Sequence, residues 1–425
     1  VASSLLKRGF STLLVKALGF PLAFGMQVVL ARIMPVEEYG VYAFAVSWLA
    51  VLTLIVPLGF NFSYLRFIPQ YRVQGKWSYL KGILKHSNAW VLFFSVMVAG
   101  ICAGISIIFI EDKSLQLTFL IMSFLLPFRG LNKLRQAALK GIKASFWGLF
   151  PEKVVRPVLL AGAGGILFLV VSRPLEASSV MILNGVVMIL LLIMGTVILQ
   201  KKLPSAVKEE ESVSVDKKHW LSVSLPLLMV SGLGVLSNEI DILMVGFIAG
   251  KEATAFYNVA SRTAMLLTLF SSTAVAVISP NVSELYHSGA VEKLRRKLKF
   301  ASGATALSTI LLAIPFLLFG NVLLRIFGAD YTAAYPALIV LALTHVIGAC
   351  VFTVGIFLRV TGHQRALAGF MVCSVILNMI FNVLLIPLFG ITGAAIGSAL
   401  ARIISMLVRL FYARNYTELI PSKVS

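Results

Sequence analysis

The chain has 425 residues, of which 59% are hydrophobic and only 13% are charged. A soluble domain is about half apolar and about a quarter charged, so the composition excludes an ordinary soluble enzyme or binding domain. Lys and Arg number 37 against 17 Asp and Glu, which gives a formal charge of +20. On a soluble protein this charge would favour nucleic-acid binding. Here the basic residues alternate with apolar runs, and we expect no nucleic-acid partner.

The apolar residues form runs long enough to cross a bilayer, which takes about 20 residues in a helix. The first run contains Lys16 and Pro21 and is too long for a signal peptide, so it is predicted to be the first helix. Interruptions by charge, Gly and Pro predict twelve spans, near 9–33, 40–68, 84–110, 115–139, 146–171, 178–200, 220–248, 253–286, 298–327, 331–358, 364–388 and 391–413. The sequence therefore predicts an all-α, multi-pass protein of the cytoplasmic (inner) membrane.

Positive charge marks one side of this predicted topology. Most Lys and Arg outside the spans fall on the termini and the even-numbered connections, from Lys7 and Arg8 to Lys423. The odd-numbered connections carry only Arg32, Lys113, Arg173, Lys251 and Arg325. Because Lys and Arg accumulate in cytoplasmic loops, both termini are predicted to be cytoplasmic.

The longest cytoplasmic connection divides the predicted spans into six and six. The division gives an N-terminal six-helix bundle at 1–200, a polar linker at 201–219 that we expect to be mobile, and a C-terminal six-helix bundle at 220–425. The segments EEYGVYAFAVS (37–47) and KEATAFYNVAS (251–261) are similar and lie at corresponding places. This favours a parallel repeat. The alternative is that any two apolar helix starts resemble each other.

Ionisable side chains lie inside several predicted spans, where they are costly and usually face a cavity or a partner. The basic ones are Lys16, Arg66, Arg129, Lys153, Arg156, Arg262 and Arg402. The acidic ones are Glu152, Glu239 and Asp241. The accumulation of Lys and Arg in cytoplasmic loops does not explain why basic residues outnumber acidic ones inside the spans. A cationic cavity suits an anionic cargo such as a phosphate or diphosphate headgroup, because Arg binds phosphate through paired hydrogen bonds.

Some of these residues have a simpler structural explanation. Glu152 and Arg156 are four apart on one helix face and could pair with each other. Arg262 is expected at a depth similar to that of Asp241, so we predict an ion pair that either locks two helices together or forms a gate or ion-coupling site. Asn238 shares a helix face with Asp241 at i, i+3. The candidates for ion coupling or gating are Glu152, Asn238, Glu239 and Asp241.

The sequence lacks the motifs of a membrane enzyme or an ATPase. It contains no glycine-rich phosphate loop followed by Lys and Ser/Thr, and no HExxH motif. Cys102, Cys350 and Cys373 are scattered inside apolar runs and have no metal-ligand spacing. No connection is long enough to fold as a catalytic domain. We therefore predict a protein that is not an enzyme and has no cofactor other than a coupling ion, H+ or Na+.

Four segments resemble one family of membrane transporters. The segments are LARIMPVEEYGVYAFAVS (30–47), LGFNFSYLRFIPQY (58–71), NEIDILMVGFIAGKEATAFYNVASR (238–262) and TGHQRALAGFMVCSVILNMIFNVLLIPLFGITGAAIGSALARI (361–403). They are similar to the polysaccharide transporters, the Wzx-type O-antigen and oligosaccharide flippases. The resemblance covers nearly the whole chain, and the last segment is its most specific part.

The resemblance implies the fold of the multidrug/oligosaccharidyl-lipid/polysaccharide exporter superfamily, with two six-helix bundles in a MATE-like V. It implies movement of a polyprenyl-diphosphate-linked oligosaccharide across the membrane by alternating access, with membrane lipids, a polysaccharide polymerase and glycosyltransferases as partners. Peptidoglycan-precursor flippases usually have two further helices, so lipid II is a less expected cargo. The alternatives are a cation-coupled multidrug exporter of the same superfamily, which would show an acidic cavity, and a membrane enzyme that transfers sugars.

Overall fold

Residues 2–416 form an almost entirely helical chain. The structure, a computed structural model, describes the backbone of these residues and the side chains of 11–415 apart from scattered positions, most of them within 270–291. Lys423 and the side chains of Lys7 and Arg8 lie outside the described residues. The cytoplasmic location of both termini therefore stays a prediction.

The first half of the chain contains nine α-helices and one π-helical turn within the described residues. They are α1 (Ala2–Ile33), α2 (Val36–Ile55), α3 (Phe60–Val73), α4 (Trp77–Phe109), α5 (Lys113–Gly141), α6 (Ser145–Phe150), the π-helical turn Pro151–Val155, α7 (Arg156–Val171), α8 (Ala177–Lys202) and α9 (Ser205–Glu209). The predicted span 40–68 is broken at 56–59, where Leu58 and Gly59 have positive φ. The start of α5 is capped by Asp112, whose carboxylate accepts a 2.9 Å bond from Leu115 N.

The second half continues with five helices and two short 3-10 turns. They are α10 (Lys217–Ala264), the turn Met265–Leu267, α11 (Thr268–His287), α12 (Val291–Arg325), the turn Asp330–Ala334, α13 (Tyr335–Val360) and α14 (Gln364–Tyr416). Each of the two longest helices turns at a glycine, α10 at Gly250 (φ 88°, ψ −171°) and α14 at Gly390 (φ 56°, ψ −135°). Glycine adopts such backbone angles without the steric cost that a Cβ would bring.

Ten helical stretches within the described residues are long and apolar enough to cross a membrane. Two of them, of 51 and 52 residues, contain the turns at Gly250 and Gly390, which fall at two of the predicted connections between spans. The count of twelve spans stays a prediction. The exposed apolar side chains of α4 agree with a lipid-facing surface, because Phe93, Val96 and Ile108 are 64%, 57% and 74% exposed.

The chain divides into two compact units, Val1–Glu239 and Ile240–Ser425. The boundary lies inside α10, so the first part of that helix packs with the N-terminal helices. Trp220 is fully buried and donates a 2.8 Å hydrogen bond from Nε1 to the hydroxyl of Tyr71. Ser224 donates a 2.7 Å bond to Ser63. The predicted division into 1–200, 201–219 and 220–425 stays a prediction.

The polar linker is docked on α4 within the first unit, which corrects the expectation that it is mobile. Ser214 donates to Ser78 through both its backbone N (3.3 Å) and its Oγ (3.1 Å). Lys81 bonds the carbonyl of Glu210. Gly82 leaves room for this contact, because a Cβ at that position would come within 1.9 Å of Ser214 O. The linker is held by hydrogen bonds that involve its backbone and by the buried side chain of Val207. Its polar composition had suggested a free loop.

Candidate functional site

The first unit brings most of its predicted intramembrane charges together in one group, which we call the basic cluster. Its members are Lys16 on α1, Arg129, Lys133 and Lys140 on α5, Glu152 and Lys153 on the π-helical turn, and Arg156 at the start of α7. The α5 members follow the spacing i, i+4 and i+11, which places them on one helix face. The cluster therefore holds six basic side chains and one acidic side chain.

Glu152 is the acidic centre of the cluster. Its Oε1 lies 2.7 Å from Nη1 of Arg129 and 3.9 Å from Nη1 of Arg156. Its Oε2 accepts a longer bond, of 3.4 Å, from Nε2 of Gln136. The predicted pairing of Glu152 with Arg156 is present, but Arg129 on the neighbouring helix is the closer partner. The carboxylate of Glu152 is thus shared between two guanidinium groups.

Arg156 keeps part of its hydrogen-bonding capacity free. Its Nη2 donates a 3.2 Å bond to Oδ1 of Asn184, which is buried on α8. Its Nε is buried and has no hydrogen-bond partner among the described residues. A buried donor without a partner costs free energy, of the order of 1–3 kcal/mol. An anionic ligand near Arg156 would relieve that cost.

The four lysines of the cluster form no ion pair within the part of the chain that the structure describes. Lys133 lies within electrostatic range of Arg129, Glu152, Lys140 and Lys153. Lys140 is in turn close enough to interact with Lys16 and Lys153. These positive charges repel one another, and the single carboxylate does not neutralise them. The cluster therefore attracts anions.

The π-helical turn determines where the charged side chains of this segment point. Proline at position 157 has no N–H and cannot bond the carbonyl four residues earlier, which favours a local change in helical winding at Lys153. Single π-turns occur often at functional sites. Helix α1 approaches this turn closely, since a Cβ on Gly19 would lie 3.0 Å from Cβ of Lys153. The turn thus places Lys153 beside α1 and Glu152 against α5.

A void beside Glu152 is too small for a headgroup. The void lined by Gln136, Trp147 and Glu152 has a volume of about 10 Å³, enough for at most one water. Lys16 and Lys153, by contrast, are exposed. A ligand headgroup would therefore approach from the side of these two lysines.

The second unit contains a buried carboxylate, Asp241 on α10, which is 5% exposed. Its Oδ1 accepts bonds from Nδ2 of Asn378 (2.9 Å) and Nδ2 of Asn382 (2.8 Å), both on α14. Its Oδ2 accepts a bond from the hydroxyl of Ser398, beyond the turn at Gly390. Tyr257 also bonds the carboxylate and Ser398. We call these five residues the Asp241 network.

The Asp241 network corrects the predicted pair of Asp241 and Arg262. Among the described residues the partners of Asp241 are neutral donors, whereas Arg262 donates from Nε to Oδ1 of Asn258 at 3.3 Å. Equal depth in the membrane does not place two side chains on facing sides of their helices, and this is why the prediction was wrong. Asn238 is exposed while Asp241 is buried, so the two do not share a site.

The network offers oxygen atoms to a hard cation. Asp241 supplies two carboxylate oxygens, and the Oδ1 of Asn382 is buried without a hydrogen-bond partner among the described residues. Oxygen ligands of this type suit hard metal ions, and a buried carboxylate is also a proton acceptor.

The remaining predicted residues lie apart from these two groups of contacts. Glu239 is buried in the first unit and accepts a 2.9 Å bond from Ser47. Arg66 is exposed on α3. Arg402 lines a cavity of the second unit beside His345 and Arg409. The roles predicted for Arg66, Arg262, Arg402 and Glu239 stay predictions.

Sequence reasoning missed several members of these groups. Lys133 and Lys140 were assigned to a cytoplasmic connection, although their spacing from Arg129 is helical. Asn378, Asn382 and Ser398 lie in the segment 361–403, which carried the family resemblance but was not connected with Asp241. Polar side chains inside apolar runs, spaced at i, i+4, were the available signal for Asn378 and Asn382.

Comparison with known proteins decides the family. Residues 5–286 match the family model described as polysaccharide biosynthesis protein. The chain belongs to this family. Residues 226–384 also match the MatE family model. The family assignment confirms the resemblance seen in the sequence and agrees with a multi-pass protein of the cytoplasmic membrane.

One relative of this family member is named as a probable glycan flippase. It is 25% identical over 269 residues to a protein of Haloferax volcanii named probable low-salt glycan biosynthesis flippase Agl15, a match spanning 63% of the chain and 55% of the relative. It is 25% identical over 434 residues to an uncharacterized membrane protein of Methanocaldococcus jannaschii, spanning 94% of the chain and 82% of that protein. The chain thus covers about half of the named flippase.

Solved structures show the same fold. A multidrug resistance MATE family transporter of the MOP superfamily, in an inward-facing conformation, matches with a TM-score of 0.78 at 16% identity over 93% of both chains. The lipid II flippase MurJ matches with a TM-score of 0.74 at 17% identity, over 94% of this chain and 86% of that one. At these identities the likeness concerns the fold alone. The predicted MATE-like helical fold is confirmed.

Proposed function

We propose that this family member is a flippase that moves a polyprenyl-diphosphate-linked oligosaccharide across the cytoplasmic membrane by alternating access, for cell-surface polysaccharide biosynthesis. The observation that carries the proposal is the basic cluster, which places six basic side chains around one carboxylate within helices that cross the membrane. Ionisable side chains within membrane-spanning helices are costly and usually face a cavity or a partner, so a group of them with one carboxylate indicates a function.

The diphosphate headgroup fits the chemistry of the cluster. It carries several negative charges and oxygen acceptors, which Arg can bind through two parallel hydrogen bonds and Lys as a point charge. The exposed Lys16 and Lys153, with Lys133 and Lys140 behind them, supply donors that Glu152 does not occupy. In this proposal the headgroup binds the cluster while the polyprenyl chain stays in lipid.

The relatives support the same class of cargo. The family is described as polysaccharide biosynthesis protein, and the Haloferax volcanii relative is named a probable low-salt glycan biosynthesis flippase. Membrane lipids are the surroundings of such a cargo. A polysaccharide polymerase and glycosyltransferases would be its partners before and after transport, and the protein itself would perform no covalent chemistry.

We place ion coupling at the Asp241 network. A cation, H+ or Na+, that binds the carboxylate would change the bonds that Asn378, Asn382 and Ser398 make to it. These residues lie on α10 and on both sides of the turn at Gly390 in α14. Binding would therefore alter how α10 and the two parts of α14 pack within the second unit. Differential binding of this kind can bias a conformational equilibrium.

The second candidate function is a cation-coupled multidrug exporter. The MatE match and the buried Asp241 favour it. The basic cluster opposes it, because cationic drugs would be repelled by six positive charges around one carboxylate. The two functions therefore differ in the charge of the cargo.

The test is transport by purified protein reconstituted in liposomes. A fluorescent polyprenyl-diphosphate sugar and a cationic dye are each offered on one side, and arrival on the other side is measured with and without Na+ and pH gradients. The proposal predicts protein-dependent movement of the diphosphate lipid and none of the dye. Movement of the dye alone would establish the exporter instead. Lack of movement of either compound under every gradient would refute both.

A further inference from the structure

The second unit contains a cavity between α13 and α14 with a volume of about 230 Å³. This is several times the roughly 30 Å³ that a water molecule occupies. It is smaller than the pockets that enclose drug-sized ligands, which start at about 300 Å³. The cavity therefore fits a small group rather than an oligosaccharide. Its lining includes His345, Phe352, Ser374, Arg402, Met406 and Arg409.

Two arginines of α14 line this cavity at i, i+7, which places them on one face of the helix two turns apart. Arg402 forms no hydrogen bond or ion pair within the described part of the chain. Arg409 donates from Nη2 to Ser405 at 2.9 Å, and its Nε is buried without a partner in that same part. Each guanidinium therefore retains free donors beside the cavity.

The ionisable side chains that line the cavity are all basic, and the carboxylate of Asp241, which bonds Ser398 one turn before Arg402, is not part of the lining. Arg359 acts electrostatically on Arg409, and Arg402 acts on His345. No Asp or Glu lines the cavity among the described residues. Buried charges are normally paired, since an unpaired one loses its hydration without compensation. The uncompensated guanidinium groups thus indicate a ligand that supplies negative charge.

We infer that this cavity is a second anion site, which binds a phosphate-type oxyanion between Arg402 and Arg409. Arginine is the residue suited to such oxyanions because its planar fork matches two of their oxygens. Val351, Phe352 and Met406 form an apolar wall, which suits the organic part of a phosphate ester. The site lies in the second unit, whereas the basic cluster lies in the first, so the inference does not rest on the proposed function.

The same chemistry could come from a free anion or from a phospholipid headgroup. The test uses the full chain with Lys133→Gln and Lys140→Gln, which weaken the basic cluster and leave the second-unit site intact. Equilibrium binding of radiolabelled pyrophosphate in neutral detergent forms one arm. Native mass spectrometry of retained phosphatidylglycerol, against phosphatidylcholine, forms the other arm. The variants are Arg402→Gln, Arg409→Gln and Arg402→Lys, with Arg414→Gln on the exposed end of α14 as control.

The inference predicts saturable binding in at least one arm. Arg402→Gln and Arg409→Gln should each weaken it about ten- to a hundredfold, as expected for loss of charge-assisted hydrogen bonds. Arg402→Lys keeps the positive charge, and its affinity should lie between those of wild type and Arg402→Gln. The control should bind with wild-type affinity. Binding of pyrophosphate identifies a soluble anion, and retention of the anionic lipid alone identifies a headgroup. Absence of binding in both arms, or equal binding by folded Arg402→Gln and Arg409→Gln, would overturn it.

Discussion

Arg129 and Glu152 form an ion pair in the first unit, with Nη1 of Arg129 2.7 Å from Oε1 of Glu152. Both side chains are largely buried, at 14% and 13% exposure. The pair joins α5 to the π-helical turn and leaves the lysines of the basic cluster without an acidic partner of their own. The cluster therefore has two parts. Glu152 pairs with the two arginines and stabilises the fold, while the lysines keep their positive charge for a ligand.

Glu152→Gln should destabilise the protein. Removing one partner of a buried pair leaves an uncompensated charge and costs about 3–5 kcal/mol. Denaturant unfolding in detergent should show this loss of free energy of unfolding. The double variant Arg129→Gln, Glu152→Gln should recover part of it, because it removes both charges. Stability of Glu152→Gln equal to that of wild type would show that the pair contributes little.

Lys133→Gln should weaken binding of a polyprenyl diphosphate about tenfold without lowering thermal stability. A charge-assisted contact contributes about 1.5 kcal/mol, and Lys133 makes no ion pair within the described residues whose loss would destabilise the fold. The measurement is equilibrium binding of a fluorescent diphosphate lipid in detergent. Lys113→Gln, at the exposed start of the same helix, is the control. Unchanged affinity in Lys133→Gln would remove this lysine from the headgroup site.

Asp241→Asn should abolish the response of transport to an ion gradient. The amide has the shape of the carboxylate, but it lacks the negative charge that attracts a cation. Transport in liposomes should then proceed at the same rate with and without an imposed Na+ or pH gradient. Glu252→Gln changes an exposed carboxylate near the turn at Gly250 and should retain the wild-type response. A wild-type gradient response in Asp241→Asn would place coupling elsewhere.

Gly82→Ala should release the docked linker. The added Cβ would lie 1.9 Å from the carbonyl oxygen of Ser214, which forces the two backbones apart. Limited proteolysis within 203–216 should become about tenfold faster, which corresponds to about 1.4 kcal/mol. Gly100→Ala on the same helix meets no atom within 4 Å and serves as control. Equal cleavage rates in the two variants would argue against docking.

Most of the fold could be predicted from the sequence because a bilayer requires long apolar runs. The predicted ends at residues 33, 171 and 327 agree with the structure to within two residues. The docked linker could not be predicted, because its attachment depends on backbone hydrogen bonds to α4 that composition does not show. The position of 217–239 in the first unit also depends on packing, through buried Trp220.

The candidate site was predicted in part. Depth and charge identified Arg129, Glu152 and Arg156, which the structure brings together. Lys133 and Lys140 were missed because the charge pattern favoured a loop where α5 continues to Gly141. The partners of Asp241 were missed because Asn378 lies 137 residues away and only the rotation of each helix about its axis brings them into contact.

The central claim is that the basic cluster recognises an anionic lipid headgroup, and one comparison tests it most directly. The rates at which reconstituted protein translocates a polyprenyl-diphosphate sugar and the same sugar on an uncharged polyprenyl ether are measured for wild type and for Lys133→Gln, Lys140→Gln. The account predicts that wild type moves the charged lipid at least about tenfold faster and that the double variant loses this preference. Equal rates for both lipids in wild type, or an undiminished preference in the folded variant, would contradict it.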